Sequence, residues 1–210
     1  MYLTPTPSGH TYQSSYPACK CCLIGDSQVG KTSLCIKLTQ EDTYDVQNTP
    51  SATIGYGYYS TWINSNFSKG FLVTFWDTAG QEKYRALAPI YLHGSDFVIV
   101  MESKEHSQQS ILDRFEYYTN FIHDCMSYKE EYHIIYILNK TDLQNNDLDT
   151  QSLINELHPK TLFTTSATTG EGCDELKEYI YQKYTEIQSE KLLKEISSKQ
   201  PQNKNNTCGC

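Results

Sequence analysis

Long hydrophobic runs are missing from this chain. No stretch approaches the ~18 consecutive apolar residues of a membrane-spanning helix, which excludes a transmembrane helix. Positive charge is in deficit too. Seventeen Lys and Arg face 25 Asp and Glu, a net charge of −8, and that balance does not invite nucleic acid. The opening Met1-Tyr2-Leu3-Thr4-Pro5 lacks the basic-then-apolar order of a secretory leader, and tyrosine at position 2 excludes N-myristoylation. No second Cys-x-x-Cys pair or nearby histidine completes a zinc set around Cys19–Cys22. Without a secretory route or a small loop-rich chain, the eight cysteines do not read as a disulfide framework. Cys19, Cys21 and Cys22 lie in a short apolar run and read as packing thiols on alternating faces. What is present is a chain of 210 residues, 38% hydrophobic, with 17 Tyr and 7 Phe. That is enough for one domain with extensions, or at most two small ones.

Residues 1–16 are Thr, Ser, Pro, Gly, Gln and Tyr with hardly an aliphatic side chain, which predicts a disordered arm. From there apolar runs alternate with helical spacing. Cys19–Ile24 is a strand, followed by a glycine-bearing loop and a helical segment over 32–38. Tyr56–Ile63 and Gly70–Trp76 are β-rich and flank Asn64-Ser65-Asn66, which predicts a hairpin. Phe97–Met101 and His133–Leu138 are nearly continuous apolar runs, as strands buried on both faces should be. Ile111, Phe115, Tyr118 and Ile122 mark a helix over 110–126, Thr161–Thr164 a last strand, and 173–195 a last helix. The alternation implies an α/β fold with a mostly parallel sheet and one antiparallel strand. Residues 196–210 turn polar again and predict a flexible tail.

Gly25-Asp26-Ser27-Gln28-Val29-Gly30-Lys31-Thr32 matches G-x-x-x-x-G-K-[ST] between a strand and a helix, where a phosphate cradle belongs. Its glycines let backbone N–H groups wrap a phosphate at a positively polarised helix end. Lys31 adds charge for the β- and γ-phosphates, and the Thr32 hydroxyl can ligate Mg²⁺. Asp77, ending the run Gly70–Trp76, can hold the same ion through water. The Gly80 N–H can reach a γ-phosphate, and Gln81 can orient an attacking water, a catalytic role beside Lys31. Asn139-Lys140-Thr141-Asp142 selects the base. The Asp142 carboxylate can accept from guanine N1–H and N2–H₂, a donor pair adenine lacks. The Asn139 amide suits the N7 side, and the Lys140 stem can flank the ring.

Taken together these motifs resemble those of the Ras-superfamily small GTPases, and specifically the Rab family, over roughly residues 18–185. Gly-Asp-Ser-x-Val-Gly-Lys-Thr, Trp-Asp-Thr-Ala-Gly-Gln-Glu and Asn-Lys-x-Asp occur in the family's order, and Leu87-Ala88-Pro89-Ile90-Tyr91 continues the second switch. The resemblance implies a P-loop NTPase small G domain over 17–188. Its six-stranded sheet would be mostly parallel, with one antiparallel strand and helices on both faces. It adds Ser33 to the phosphate set and makes Thr53 the switch threonine that binds Mg²⁺ and senses the γ-phosphate. It also places Ser166 and the Ala167 N–H beside the guanine, Tyr44 over it as an aromatic lid, and Tyr58, Trp76 and Tyr91 as the triad that meets effectors. For those three, core packing is the competing reading. Departures are visible. Gln28 stands at a position usually small, Gly57 replaces an acidic residue, Thr168 a lysine and Leu138 a glycine, and the stretch from Thr32 to Thr53 is longer than usual. These point to a divergent member.

The ending Cys208-Gly209-Cys210 is not a C-a-a-X box. It resembles the Cys-x-Cys terminus on which Rabs carry two geranylgeranyl groups, with 189–210 as a flexible tail. In that stretch Lys191, Lys194, Lys199 and Lys204 face Glu190 and Glu195, too little charge to hold a membrane unaided. The expectation is an enzyme used as a switch, hydrolysing GTP to GDP with Mg²⁺ at the cytosolic face of a membrane, with a cytosolic pool. The partners implied are an exchange factor, a GTPase-activating protein, effectors, a prenylation escort and a GDP-dissociation inhibitor. The rival is a GTP-binding scaffold that scarcely hydrolyses and recruits partners constitutively.

Overall fold

The computed structural model describes residues 3–5, 11–13, 18–40, 51–65, 68–80, 86–127, 130–144, 148–157 and 161–198. Within the arm, β1 (Leu3–Pro5) pairs antiparallel with β2 (Thr11–Gln13), so the part of 1–16 that is described holds a short ribbon. The domain then runs β3 (Cys19–Ile24), α1 (Lys31–Thr39), β4 (Tyr56–Ser65), β5 (Ser68–Thr78), α2 (Ala88–Leu92), β6 (Phe97–Ser103), α3 (Gln108–Cys125), β7 (His133–Asn139), α4 (Thr150–Leu157), β8 (Leu162–Thr164) and α5 (Cys173–Ser198). Strands β4 to β8 and β3 form one six-stranded sheet in the order β4-β5-β3-β6-β7-β8. All neighbours are parallel except β4 and β5, the hairpin. This is the α/β architecture that the alternating pattern implied, and the six-stranded sheet that the resemblance to small GTPases implied.

Period-two alternation divides β3 between two cores. Cys19, Cys21 and Leu23 pack with α1 and α5 through Leu34, Leu38, Ile180 and Tyr184. Cys22 and Ile24 face α3 and α4 through Ile111, Phe115 and Leu153. Each such fully buried side chain contributes ~1.5–3 kcal/mol of apolar transfer, which is why the sheet is covered on both faces. The clustered thiols are packing groups as expected. Burial pushes the Cys22 thiol up to about 12, so it stays neutral.

Elements run longer than the apolar patterns. β6 continues to Ser103, and α5 continues to Ser198, so the segment 189–198 assigned to a flexible tail is helical. Helices α2 and α4 went unanticipated. α4 follows Asp149, whose Oδ1 accepts from the N–H groups of Gln151 and Ser152 at 3.0 and 3.2 Å and so starts the helix.

Candidate nucleotide site

The three motif loops leave the C-terminal ends of β3, β5 and β7, where open α/β sheets bind ligands. The loop after β3 closes on α1 through Gly30, which lies at φ +98°. A side chain at Gly30 would run into the Asn139 amide. α1 has no side-chain cap and no acidic residue in its first turn, so its leading N–H groups are unclaimed by any capping carboxylate or hydroxyl. Lys31 is buried, with Nζ donating to the Gly25 and Asp26 carbonyls at 2.8 and 2.7 Å. Burial lowers its pKa to about 8, against the attraction of Asp77 and Asp26. Gln28 takes the left-handed conformation at φ +70°, a cost for a non-glycine residue and a physical reason why this position favours a small one.

Thr32, Thr53 and Asp77 come together although they belong to α1, the preceding loop of β4 and the end of β5. Thr32 Oγ1 donates to Asp77 Oδ2 at 2.7 Å, Thr53 Oγ1 donates to the same oxygen at 3.0 Å, and the two hydroxyls are 3.1 Å apart. Asp77 Oδ1 is buried with no hydrogen-bond partner among the described residues, and desolvation raises the pKa of its carboxyl. An uncompensated carboxylate oxygen beside two hydroxyls is a hard-oxygen set that fits Mg²⁺. Gly80 presses on the phosphate loop itself. A Cβ there would lie 2.5 Å from the Ser27 nitrogen and 2.6 Å from the Asp26 carbonyl. The loops carrying Thr53 and Gly80 are joined by an Ala79 N–H bond to the Gly55 carbonyl at 3.0 Å. Between them lies a cavity of about 590 Å³ lined by Gly30, Lys31, Thr32, Thr53, Gly80 and Lys140.

At the other end, Asn139 is 1% exposed and acts as a strut. Its Nδ2 donates to the Val29 carbonyl at 2.9 Å, and its Oδ1 accepts from Thr165 Oγ1 at 3.0 Å. One of its two amide hydrogens is thus used on the phosphate loop. The exposed Asp142 accepts from Ser166 Oγ at 2.5 Å, and Thr165, bonded to Asn139, precedes Ser166 and Ala167 in the chain, which brings this motif and the 165–167 loop together. Lys140 sits at φ +64° with its ammonium paired to Glu105. Tyr44, Gln81, Cys208 and Cys210 lie outside the described residues.

Tyr58 stands edge-on to Trp76 at 5.6 Å between ring centroids. Tyr56 joins Tyr91 to them, stacking on Trp76 at 5.2 Å and tilting against Tyr91 at 5.0 Å. Sequence reasoning missed Tyr56. Its signal was the Tyr56/Tyr58 alternation, which puts both on one face of β4. Trp76 and Tyr91 also pack against the core behind them, while Tyr56, Tyr58, Ile54 (82% exposed) and Ile90 (69%) leave the outer side of this patch apolar and open.

Fold and loops together define a P-loop nucleoside triphosphatase of the small G-domain class. The Roc family model (Ras of Complex, Roc, domain of DAPkinase) matches residues 20–142. The chain is 28% identical over 199 residues to Ras-related protein Rab-18 of Lymnaea stagnalis, covering 91% of this chain and 94% of that protein. It is 30% identical over 182 residues to Rab-2B of Dictyostelium discoideum, covering 84% and 81%. It is 42% identical over 83 residues to mouse Rab-22A, covering 39% and 40%. The chain belongs to the Rab family of Ras-superfamily GTPases, as a divergent member. It is accordingly a GTPase whose ligands are GTP and GDP with Mg²⁺.

Proposed function

We propose that this protein is a membrane-anchored switch in intracellular vesicle trafficking, read by effectors when GTP is bound. The observation that carries the switch is the convergence of Thr32 and Thr53 on one oxygen of Asp77, with Gly80 seated on the phosphate loop. Thr32, Thr53 and Asp77 would hold Mg²⁺, which supplies charge neutralisation on the phosphate oxygens. Residues 25–33 wrap the phosphates with backbone N–H groups, and Lys31 exchanges its two carbonyl partners for phosphate oxygens. Thr53 and Gly80 sense the γ-phosphate, Gln81 orients water, and release of both loops after hydrolysis is the signal. Asp142 selects guanine, with Asn139, Lys140, Ser166, Ala167 and Tyr44 around the base.

The apolar face built by Tyr56, Tyr58, Trp76 and Tyr91 is the reading surface for effectors. Two geranylgeranyl groups on Cys208 and Cys210 would anchor the protein to a cytosolic membrane face. A prenylation escort and a GDP-dissociation inhibitor would supply the soluble pool, and an exchange factor and GTPase-activating protein would drive the cycle. Among the described residues no helix is long and apolar enough to cross a membrane. One prenyl chain binds marginally and two bind stably, so each single Cys→Ser variant should lose membrane partition sharply.

Single-turnover hydrolysis of bound GTP tests the core of this reading. The parent should convert GTP to GDP, and Gln81→Leu should retain GTP. Asp142→Asn should lose guanine nucleotides and gain xanthine nucleotides, since an amide presents a donor where guanine needs an acceptor. Parent protein that holds GTP without turnover would favour the scaffold, which no feature of the described site supports.

A further inference from the structure

Asp26, the second residue of the phosphate loop, divides its work between backbone and side chain. Its carbonyl accepts from Lys31 Nζ at 2.7 Å, and the Asp26–Ser27 peptide is the seat on which Gly80 rests. Its carboxylate is held by α3. One oxygen is paired with the Arg114 guanidinium, and the other accepts from the Tyr118 hydroxyl at 2.5 Å. Arg114 also serves a second acid. Glu102, at the end of β6, is 0% exposed, and its Oε1 lies 3.8 Å from the same guanidinium nitrogen. That oxygen has no hydrogen bond among the described residues, while Oε2 meets His106 Nδ1 at 2.9 Å. Arg114 and Asp26 are each about one-third exposed, and the wholly buried Glu102 behind the guanidinium ties this pair to the interior. No motif in the sequence marks Arg114.

We infer that Arg114 is a positioning residue for the phosphate loop. It fixes the Asp26 carboxylate, and through it the peptide that presents a carbonyl to Lys31 and a flat seat to Gly80. The inference rests on the GTP-switch reading. Because Gly80 meets the γ-phosphate and GDP has none, loosening Asp26 weakens the hold on GTP more than on GDP. Tyr118 shares the load, so Asp26 without Arg114 keeps one of its two side-chain contacts and the loop shifts rather than melts.

The test measures release of a fluorescent, slowly hydrolysed GTP analogue and of fluorescent GDP from the full chain. Arg114→Met should speed release of the GTP analogue roughly tenfold and that of GDP less than about threefold, as a sub-ångström loss of positioning would. Asp26→Asn should give the same asymmetry, and the double variant should be no faster than the single ones, because both break one link. Arg114→Lys should fall between parent and Arg114→Met, and it carries the same comparison if Arg114→Met fails to fold. Unchanged release, equal acceleration of both nucleotides, or additive effects of the two substitutions would each overturn the inference while leaving the switch intact. A parent chain that retains neither nucleotide would overturn both.

Discussion

Around the ends of β3 and β7, polar side chains are tied to other parts of the chain. Asn139 bridges Val29 and Thr165, Asp26 is gripped by Arg114 and Tyr118, and Lys31 is bonded to two carbonyls. On β4 and α2, Tyr56, Tyr58 and Ile90 stand exposed, and the two tyrosines meet Trp76 and Tyr91 through ring contacts. The first region is braced before any ligand arrives, so little ordering cost falls on binding. The second is left with apolar area to give to a partner. The contrast teaches that holding a nucleotide and being read are served here by different physics, directed bonds in one place and non-directional surface in the other.

The comparison breaks most readily at the strut. Asn139→Ala removes two buried bonds and leaves the Val29 carbonyl and Thr165 hydroxyl without that partner, at ~1–3 kcal/mol each. GDP affinity should fall by about a hundredfold, since every ~1.4 kcal/mol is tenfold. Equilibrium titration with fluorescent GDP checks this, and parent-like affinity would remove the strut from the site. Gly80→Ala comes next. A Cβ that close to Ser27 and Asp26 keeps the switch from seating. Single-turnover hydrolysis should slow by more than about tenfold while GDP binding changes little, a split expected of a contact made only in the reacting state.

A smaller effect is expected from pH. The Lys31 ammonium has its pKa lowered to about 8 by burial, so the free protein sheds that proton as pH rises through 8. Below that point the buried charge is a fixed penalty on the fold, and the penalty fades between about pH 8 and the ordinary lysine range. Phosphate restores the charge, so nucleotide binding should take up about half a proton near pH 8 and weaken at higher pH. Calorimetry in buffers of different ionisation enthalpy reads that uptake directly, and binding without proton exchange would detach Lys31 from the phosphates. Smallest of all is Tyr56→Ala. Losing two ring contacts should cost about 1–2 kcal/mol of stability and leave nucleotide release unchanged. Altered release would mean that the aromatic face is mechanically joined to the phosphate loop.

Much of this was legible in advance because the motifs are local. Gly25–Thr32 and Asn139–Asp142 are read from consecutive residues, and the apolar runs of β6 and β7 announce strands buried on both faces. The ends of elements were less legible. β6 gains Glu102 and Ser103, and α5 gains its last turn, because hydrogen bonding carries an element past its apolar pattern. Helix α4 left a readable trace in Asp149 followed by Leu153, yet eight residues are too few for periodicity to stand out. The roles of Arg114 and Glu102 were not legible at all, and Tyr118 was legible only as part of the apolar face of a helix. They belong to no motif, and only the packing of α3 beside β6 brings them to the phosphate loop.

The strand order has a consequence for how the chain reaches this state. β3 carries the phosphate loop at the middle of the sheet, where Cys21 pairs with Phe75 on one side and Phe97 on the other. Both partners are distant in sequence, so loop-closure entropy must be met before either pairing rewards it. No fragment ending before β6 can enclose the phosphate loop on both sides. Guanine nucleotide, held by the loop those two ladders position, therefore stabilises the assembled sheet by mass action.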